Sequence, residues 1–397
     1  MSRKAMKSRE RMMAALNHRE PDRIPRDFGG TSTTSIHVQA HSKLKQVLGL
    51  DGGPEGFTSF YGQTVAVDPR LMDRFGSDCA VLKTNPPSTW KLRFSTDGRG
   101  YQTYADEWGV VRACPPGGYY YDVVSNPLAG AELADVERYP WPDPVDPGRF
   151  EGLAETAKNL YTDSDRCIVL FIGTSFFNHV AALMGWEDFL INLKANPPLV
   201  RSVIEHLLDF NQKQILATLD RVGKYIQVFN LFGDMTHQQG LFVSKDTSND
   251  ILIPAYRKLI GAVKNKADVK ILFHICGASR FLFEELISAG VDAVNPVQVA
   301  AEGMGDTAEL KRVFGDRLTF WGGGCDTQHV LPHGTTEEVR REVRRRIADL
   351  APGGGFVFCP VHNIQAGVPP ENIVAMFDEL SRWDSYPIRL TDLRRSL

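Results

Sequence analysis

From residue 167 to residue 382 the chain alternates short apolar runs with longer amphipathic stretches, and few architectures accept that rhythm. The runs lie at 167–172, 225–231, 270–273, 293–297, 318–321 and 355–358. They are too short for buried helices and rich in β-branched and aromatic residues, so they read as strands. The stretches between and after them predict helices over about 178–192, 197–222, 247–266, 279–289, 307–314, 336–350 and 370–382. Strands separated by helices pair in parallel. Two earlier runs, 24–29 and 78–83, bring the strands to about eight. About eight such units closing on themselves make an α/β protein of the (β/α)8, or TIM, barrel type. An open doubly wound sheet is the runner-up, but no Gly-x-Gly-x-x-Gly turn follows an early strand.

The first third departs from that rhythm. Residues 5–18 are rich in helix formers, with Met6, Met13 and Leu16 at helical spacing, so an N-terminal helical extension is expected. Pro21 and Pro25 bracket a turn, and Gly-Gly-Thr-Ser-Thr-Thr-Ser at 29–35 reads as a flexible polar loop. Helices are expected near 39–49 and 68–75, the second ending at Gly76. At about 90–130 the pattern becomes antiparallel: residues 91–94 and 101–104 flank the turn pair Asp97-Gly98, and Trp108-Gly-Val-Val and Tyr119-Tyr-Tyr-Asp-Val-Val extend the hairpin. Its tyrosines either wall a pocket or meet a second copy in a homodimer. A proline-rich bridge, 139–148, leads back to the barrel, and residues 1–397 read as a single domain.

Composition excludes several functions. The net charge of -3 gives no pull toward nucleic acid or an acidic membrane surface. No apolar run approaches the length of a membrane span, and no signal peptide opens the sequence. Six cysteines scattered over 397 residues form no disulfide framework. Free or metal-bound thiols in a reducing cytoplasm fit better.

In a (β/α)8 barrel the chemistry gathers at the C-terminal ends of the strands. The run at 270–277, Lys-Ile-Leu-Phe-His-Ile-Cys-Gly, ends in His274 and Cys276. Residues i and i+2 of a strand share a face, so the imidazole and thiol point together, as one edge of a metal site would require. The bland alternative is a packed histidine and a small buried cysteine. Further soft ligands follow later strands: Cys325 after the seventh, Cys359 and His362 after the eighth. Three such ligands with one open position is the pattern of catalytic zinc. Cys79, Cys114 and Cys167 read as packing residues. Asp234, after the fourth strand, either orients or protonates a substrate heteroatom or caps the next helix. Gln298 and Asn363 read as positioning groups, and Asp326 as a support for a metal ligand or a turn residue.

Several of these segments together resemble the uroporphyrinogen decarboxylase superfamily. They are residues 9–25, Phe232-Gly-Asp-Met-Thr-His-Gln, Phe273-His-Ile-Cys-Gly, Gly290-Val-Asp-Ala-Val-Asn-Pro-Val-Gln, Trp321-Gly-Gly-Gly-Cys-Asp-Thr-Gln, and the stretch from Gly353 to Asn372. The resemblance spans nearly the whole chain and implies a barrel. That superfamily includes decarboxylases and zinc- and cobamide-dependent methyltransferases. The decarboxylase branch implies an arginine cluster after the first strand and an aspartate after the second. Here those places read Arg26-Asp-Phe-Gly-Gly-Thr and Leu82-Lys-Thr-Asn-Pro-Pro. The methyltransferase branch implies zinc held by His-x-Cys and one distant ligand, which His274 and Cys276 match, with either Cys359 or His362 as the third. It also implies a methyl group moved between a small thiol, ether or amine and a cobamide on a partner corrinoid protein, since no Asp-x-His-x-x-Gly cobalamin motif occurs here. Carboxy-lyase activity on a tetrapyrrole or smaller acid is the alternative.

Overall fold

Consecutive strands pair side by side in one parallel sheet in the computed structural model, which describes residues 5–52 and 56–397. The sheet runs in chain order through β1 (Cys79–Lys83), β2 (Cys167–Ser175), β3 (Val228–Phe232), β4 (Lys270–His274), β5 (Ala293–Asn295), β6 (Thr319–Trp321) and β7 (Phe356–Val357). The eighth stave, expected at 24–29, is not a regular strand, because Pro25 has no N–H to give to a ladder. It still closes the barrel. The Asp27 amide donates to the Phe358 carbonyl and the Phe358 amide to that of Pro25, each at 2.8 Å. On its other side the Asp78 amide donates to the Arg26 carbonyl at 2.8 Å.

The helices follow local signals closely. Pro197–Val222, Thr307–Phe314 and Thr336–Leu350 coincide with their expected ranges. Pro197 opens the first of these, and a Thr335–Glu338 capping box opens the last. Two expected helices are interrupted. The one at 178–192 breaks at Gly185, whose φ of 91° only glycine adopts freely, into Phe177–Met184 and Trp186–Ala195. The one at 247–266 starts with a short turn and a π-helical stretch, Ser248–Leu252, before Ile253–Lys266. Pro254 lacks the amide that would continue the α pattern there.

The antiparallel insertion has the strands Ser95–Thr96, Gln102–Ala105, Val111–Cys114 and Asp122–Ser125. Residues 91–94, expected in its first strand, lie outside it, and Phe94 packs across the sheet on Tyr104 and Tyr121. A second small sheet, Ile36–His37, Phe57–Ser59 and Thr64–Val65, and the helix Leu153–Asp163 had no reading in the sequence. The loop 29–35 is a correction. It is not an open polar loop, since Thr31, Thr33, Thr34 and Ser35 are buried, the threonines bond to one another, and Ser35 donates to the Val65 carbonyl. Its hydroxyls find partners within the fold, so polar composition does not put it in water.

At the closed end of the barrel the helix Ser8–Leu16 packs Met12 and Leu16 onto the inner layer, which includes Cys79, Cys167, Leu272, Trp321 and Cys359. Asp78 lies at the seam, with no exposed side-chain surface. It accepts from Arg11 at 2.6 Å, Arg23 at 2.8 Å, the Ser8 hydroxyl at 2.7 Å and the Arg26 amide at 2.9 Å. No described helix is long and apolar enough to cross a membrane.

Candidate metal centre and cavity

The chain path past β4 brings the two expected ligands together. Ile275 continues the extended backbone by donating to the Asn295 carbonyl at 2.7 Å, so His274 and Cys276 keep to one side. Cys276 Sγ lies 3.2 Å from His274 Nε2. Gly277 then turns at a φ of 87°, with the His237 carbonyl oxygen only 2.5 Å from where a Cβ would stand, so no larger residue fits. Its amide donates to Gln298 Oε1 at 2.6 Å, and the Thr236 hydroxyl donates to the Cys276 carbonyl.

The loop after β7 supplies the third group. Ligand atoms of His274, Cys276 and His362 all fall within 4.8 Å of one another, and the two imidazole rings are 5.3 Å apart. Cys359 stays out of this group. It is fully buried in the inner layer, with its sulfur 3.7 Å from Asn295 Nδ2. Cys325 is buried in the outer core.

Neighbouring amides settle which nitrogen of His274 is free. Asn295 Nδ2 donates to the Trp321 carbonyl at 2.9 Å, so its Oδ1 faces His274 Nδ1 at 2.7 Å and also accepts from Thr33 at 3.2 Å. An oxygen opposite Nδ1 places the proton there and leaves the Nε2 lone pair beside Cys276. Trp321 in turn donates through Nε1 to Asp27 at 2.8 Å, and burial pushes that carboxyl up to about 6. His362 Nδ1 contacts Asn363 Oδ1 in the same way. Replacing Asn295 with alanine is expected to weaken metal affinity about 10- to 100-fold without unfolding the protein. Chelator competition checks this, and an unchanged affinity would refute the role.

Burial lowers the pKa of His274 against the opposing pull of Asp234 and Asn295, and holds His362 at about 4, helped by His274. It pushes the Cys276 thiol well above its usual range, with Asp234 adding to the effect. Without an ion the group is therefore neutral, with two lone pairs and a thiol that a bound cation would deprotonate. Those donors fit a soft divalent metal.

The group opens onto a cavity of about 440 Å³ at the C-terminal ends of the strands. Asp234 lines it, accepting from the Cys276 amide at 3.0 Å and from Asn178 Nδ2 at 2.9 Å, and lies 3.8 Å from His274 Nε2. Asn363 is also in the lining. Gln298 is not; it braces Gly277 and reaches Gln328 at 3.5 Å. Asp326 serves its own turn, accepting from the Gln328 amide at 2.8 Å. Phe171, Phe232, Tyr61 and Tyr120 form the apolar walls. Neither lysine nor arginine is among the described lining residues, and Arg26 is buried against Asp384.

Asn178 and Tyr61 escaped the sequence reading. Asn178 lies three residues past the end of β2, where reading one helical turn further would have found it. Tyr61 comes from outside the barrel and carries no local signal.

Comparison with known proteins agrees with this architecture. The uroporphyrinogen decarboxylase (URO-D) family model matches residues 119–383. Uroporphyrinogen decarboxylase from Alkalilimnicola ehrlichii is 23% identical over 387 residues, covering 93% of this chain and 92% of that protein. The enzyme of the same name from Geobacter metallireducens is 22% identical over 283 residues, covering 69% of this chain and 78% of that protein. A methyltransferase from Methanosarcina mazei shares the fold, with a TM-score of 0.63 at 15% identity over 95% of this chain and 99% of that one. The chain belongs to the uroporphyrinogen decarboxylase family.

Proposed function

We propose that the chain is a zinc-dependent methyltransferase of the cytoplasm. It moves a methyl group between a small thiol, ether or amine and a cobamide carried by a partner corrinoid protein. The observation that carries this reading is the convergence of His274, Cys276 and His362 on one cavity. Two imidazoles and a thiolate suit zinc and leave a fourth position for substrate. Bound zinc would polarise the substrate heteroatom or keep a thiol deprotonated.

The chain's own residues supply the rest. Asn178 and the Cys276 amide fix the Asp234 carboxylate beside the substrate space, where it holds or gives a proton at the heteroatom. Asn363 keeps the His362 ring oriented, and Gln298 keeps the loop after Cys276 in place. Phe171 and Phe232 exclude water beside His274.

The second reading is decarboxylation, which the names of the curated relatives favour. A multiply anionic tetrapyrrole needs cations around it, and the described cavity lining has none. One assay separates the two. Enzyme with cob(I)alamin and methoxylated aromatics, methylamines or methyl thiols should form methylcobalamin, whereas uroporphyrinogen should remain unchanged. Accumulating coproporphyrinogen, or no metal-dependent conversion with the cognate corrinoid protein present, would overturn the methyltransferase reading.

A further inference from the structure

We propose that the substrate is an uncharged, flat aromatic ring, held between the tyrosines Tyr61 and Tyr120 on one side and Phe171 and Phe232 on the other. The ring would carry the heteroatom toward His274 and Cys276. The proposal rests on the methyl-transfer reading for what happens to the ring, but not for the binding of the ring itself.

Four rings from four separate parts of the chain line this one cavity. Tyr61 comes from the turn before Thr64–Val65, Tyr120 from the antiparallel insertion, and the phenylalanines from β2 and β3. β2 bulges at this level. Asn230 is level with Phe171 but Phe232 with Ser175, so two residues of β3 span four of β2. Such a bulge bends the strand and re-aims its side chains. Phe171 and Phe232 meet edge to face at 5.4 Å, and Phe232 reaches the His274 ring at 5.0 Å. The apolar wall therefore runs up to the ligand group.

The tyrosine wall is built in advance. The Tyr120 hydroxyl donates to Gln365 Oε1 at 2.8 Å, and the Tyr121 amide donates to the Tyr61 carbonyl at 3.1 Å. Gln63 Nε2 donates to the Gly118 carbonyl at 2.8 Å, holding the preceding turn. The two tyrosine rings sit 5.8 Å apart, yet Tyr61 is 47% and Tyr120 36% exposed. Fixed aromatic faces left open to water beside a reactive group gain most from a flat apolar partner.

Charge narrows the class. Asp234 is the one carboxylate in the described lining, and neither lysine nor arginine lies beside it. A divalent metal with the Cys276 thiolate would leave one positive charge, which Asp234 balances, so an acidic substrate would bury its charge without a free partner. A methylated ammonium would suit the aromatic faces. However, both Asp234 oxygens already accept hydrogen bonds, and a metal cation at the ligand group would repel it. A small aliphatic thiol would leave most of the four faces bare.

The test is equilibrium binding by calorimetry, without cobamide or turnover, on zinc-loaded and zinc-stripped protein. The probes are 2-methoxyphenol, its saturated ring analogue 2-methoxycyclohexanol, 3-methoxybenzoate and tetramethylammonium. 2-Methoxyphenol should bind roughly tenfold or more tighter than each of the others. Tyr120→Ala and Phe171→Leu should each weaken it about 3- to 10-fold, while Tyr120→Phe, which keeps the ring and loses only the Gln365 bond, should weaken it less than Tyr120→Ala. Zinc content and melting temperature identify any variant that has misfolded. The proposal is overturned if the saturated ring, the benzoate or the ammonium binds as tightly, or if both wall variants bind like wild type. Because no methyl group moves in this experiment, failed methyl transfer would leave the ring proposal standing, and loss of ring binding would leave methyl transfer standing.

Discussion

Purified protein should carry about one zinc per chain, and Cys276→Ser or His362→Ala should leave it nearly free of metal. Each variant removes a donor from a group of three whose ligand atoms already lie within 4.8 Å of one another. The loss in affinity should exceed the roughly 10- to 100-fold expected when only a supporting residue such as Asn295 is changed. Cys359→Ser is the control. Its thiol lies in the inner layer and should keep the wild-type metal content. Metal uptake should also depend on pH with a particular slope. His362, held at about 4, is already neutral near pH 6, and burial lowers His274 in the same direction. The Cys276 thiol is raised and must lose its proton on binding. Affinity should therefore rise about tenfold per pH unit between roughly pH 6 and 8. Elemental analysis and chelator competition read both effects. Wild-type protein without zinc, or a Cys276→Ser variant that retains it, would sink the assignment. A flat pH response would remove the thiolate from it.

The second large effect concerns stability. Asp78→Ala should destabilise the fold by about 3–5 kcal/mol, because it removes the buried carboxylate shared by Arg11, Arg23 and the Arg26 amide. Arg11 and Arg23 both end on this carboxylate, at 2.6 and 2.8 Å, and the Arg26 amide joins them at 2.9 Å. It thereby ties the N-terminal helix and the 24–29 segment to β1, where the barrel closes. Arg11 also pairs with Asp22 at 2.7 Å. Burial alone would raise the Asp22 carboxyl, but Arg11 and the Met6 and Arg23 amides hold it at about 2. Its folded pKa lies below its unfolded value, so this contribution is present in full above about pH 4 and is lost as pH falls through 2. Asp22→Asn should flatten that acid limb by about 2 kcal/mol. Urea unfolding at neutral and acid pH measures both variants. An Asp78→Ala loss below about 1 kcal/mol would mean that the seam is held by its backbone hydrogen bonds alone.

How much of this was legible in the sequence follows the range of the interactions involved. The barrel was readable because each strand and helix is specified by patterns a few residues long. Pro197, the Thr335–Glu338 capping box and the apolar spacing mark helix ends with little tertiary help. The His274–Cys276 pair was readable for the same reason: a two-residue repeat in extended chain shares a face wherever the strand lies.

The third member of the group was not. Cys359 and His362 stand three residues apart, and the sequence left both open. Cys359 stands two residues past β7 and turns into the inner layer; only the path past Pro360 carries His362 toward His274. The loop 29–35 was misread because its hydroxyls find partners within the fold, and composition cannot reveal who the partners are. Tyr61 and Tyr120 reach the cavity from segments outside the strand–helix repeat of the barrel. The sequence by itself determined the alternation that makes a barrel and the shared face of His274 and Cys276 at the end of its fourth regular strand, because those depend on neighbours along the chain. Tertiary structure alone decided which later side chain completes the group and which rings wall the cavity. Those choices depend on how distant loops pack over the barrel mouth.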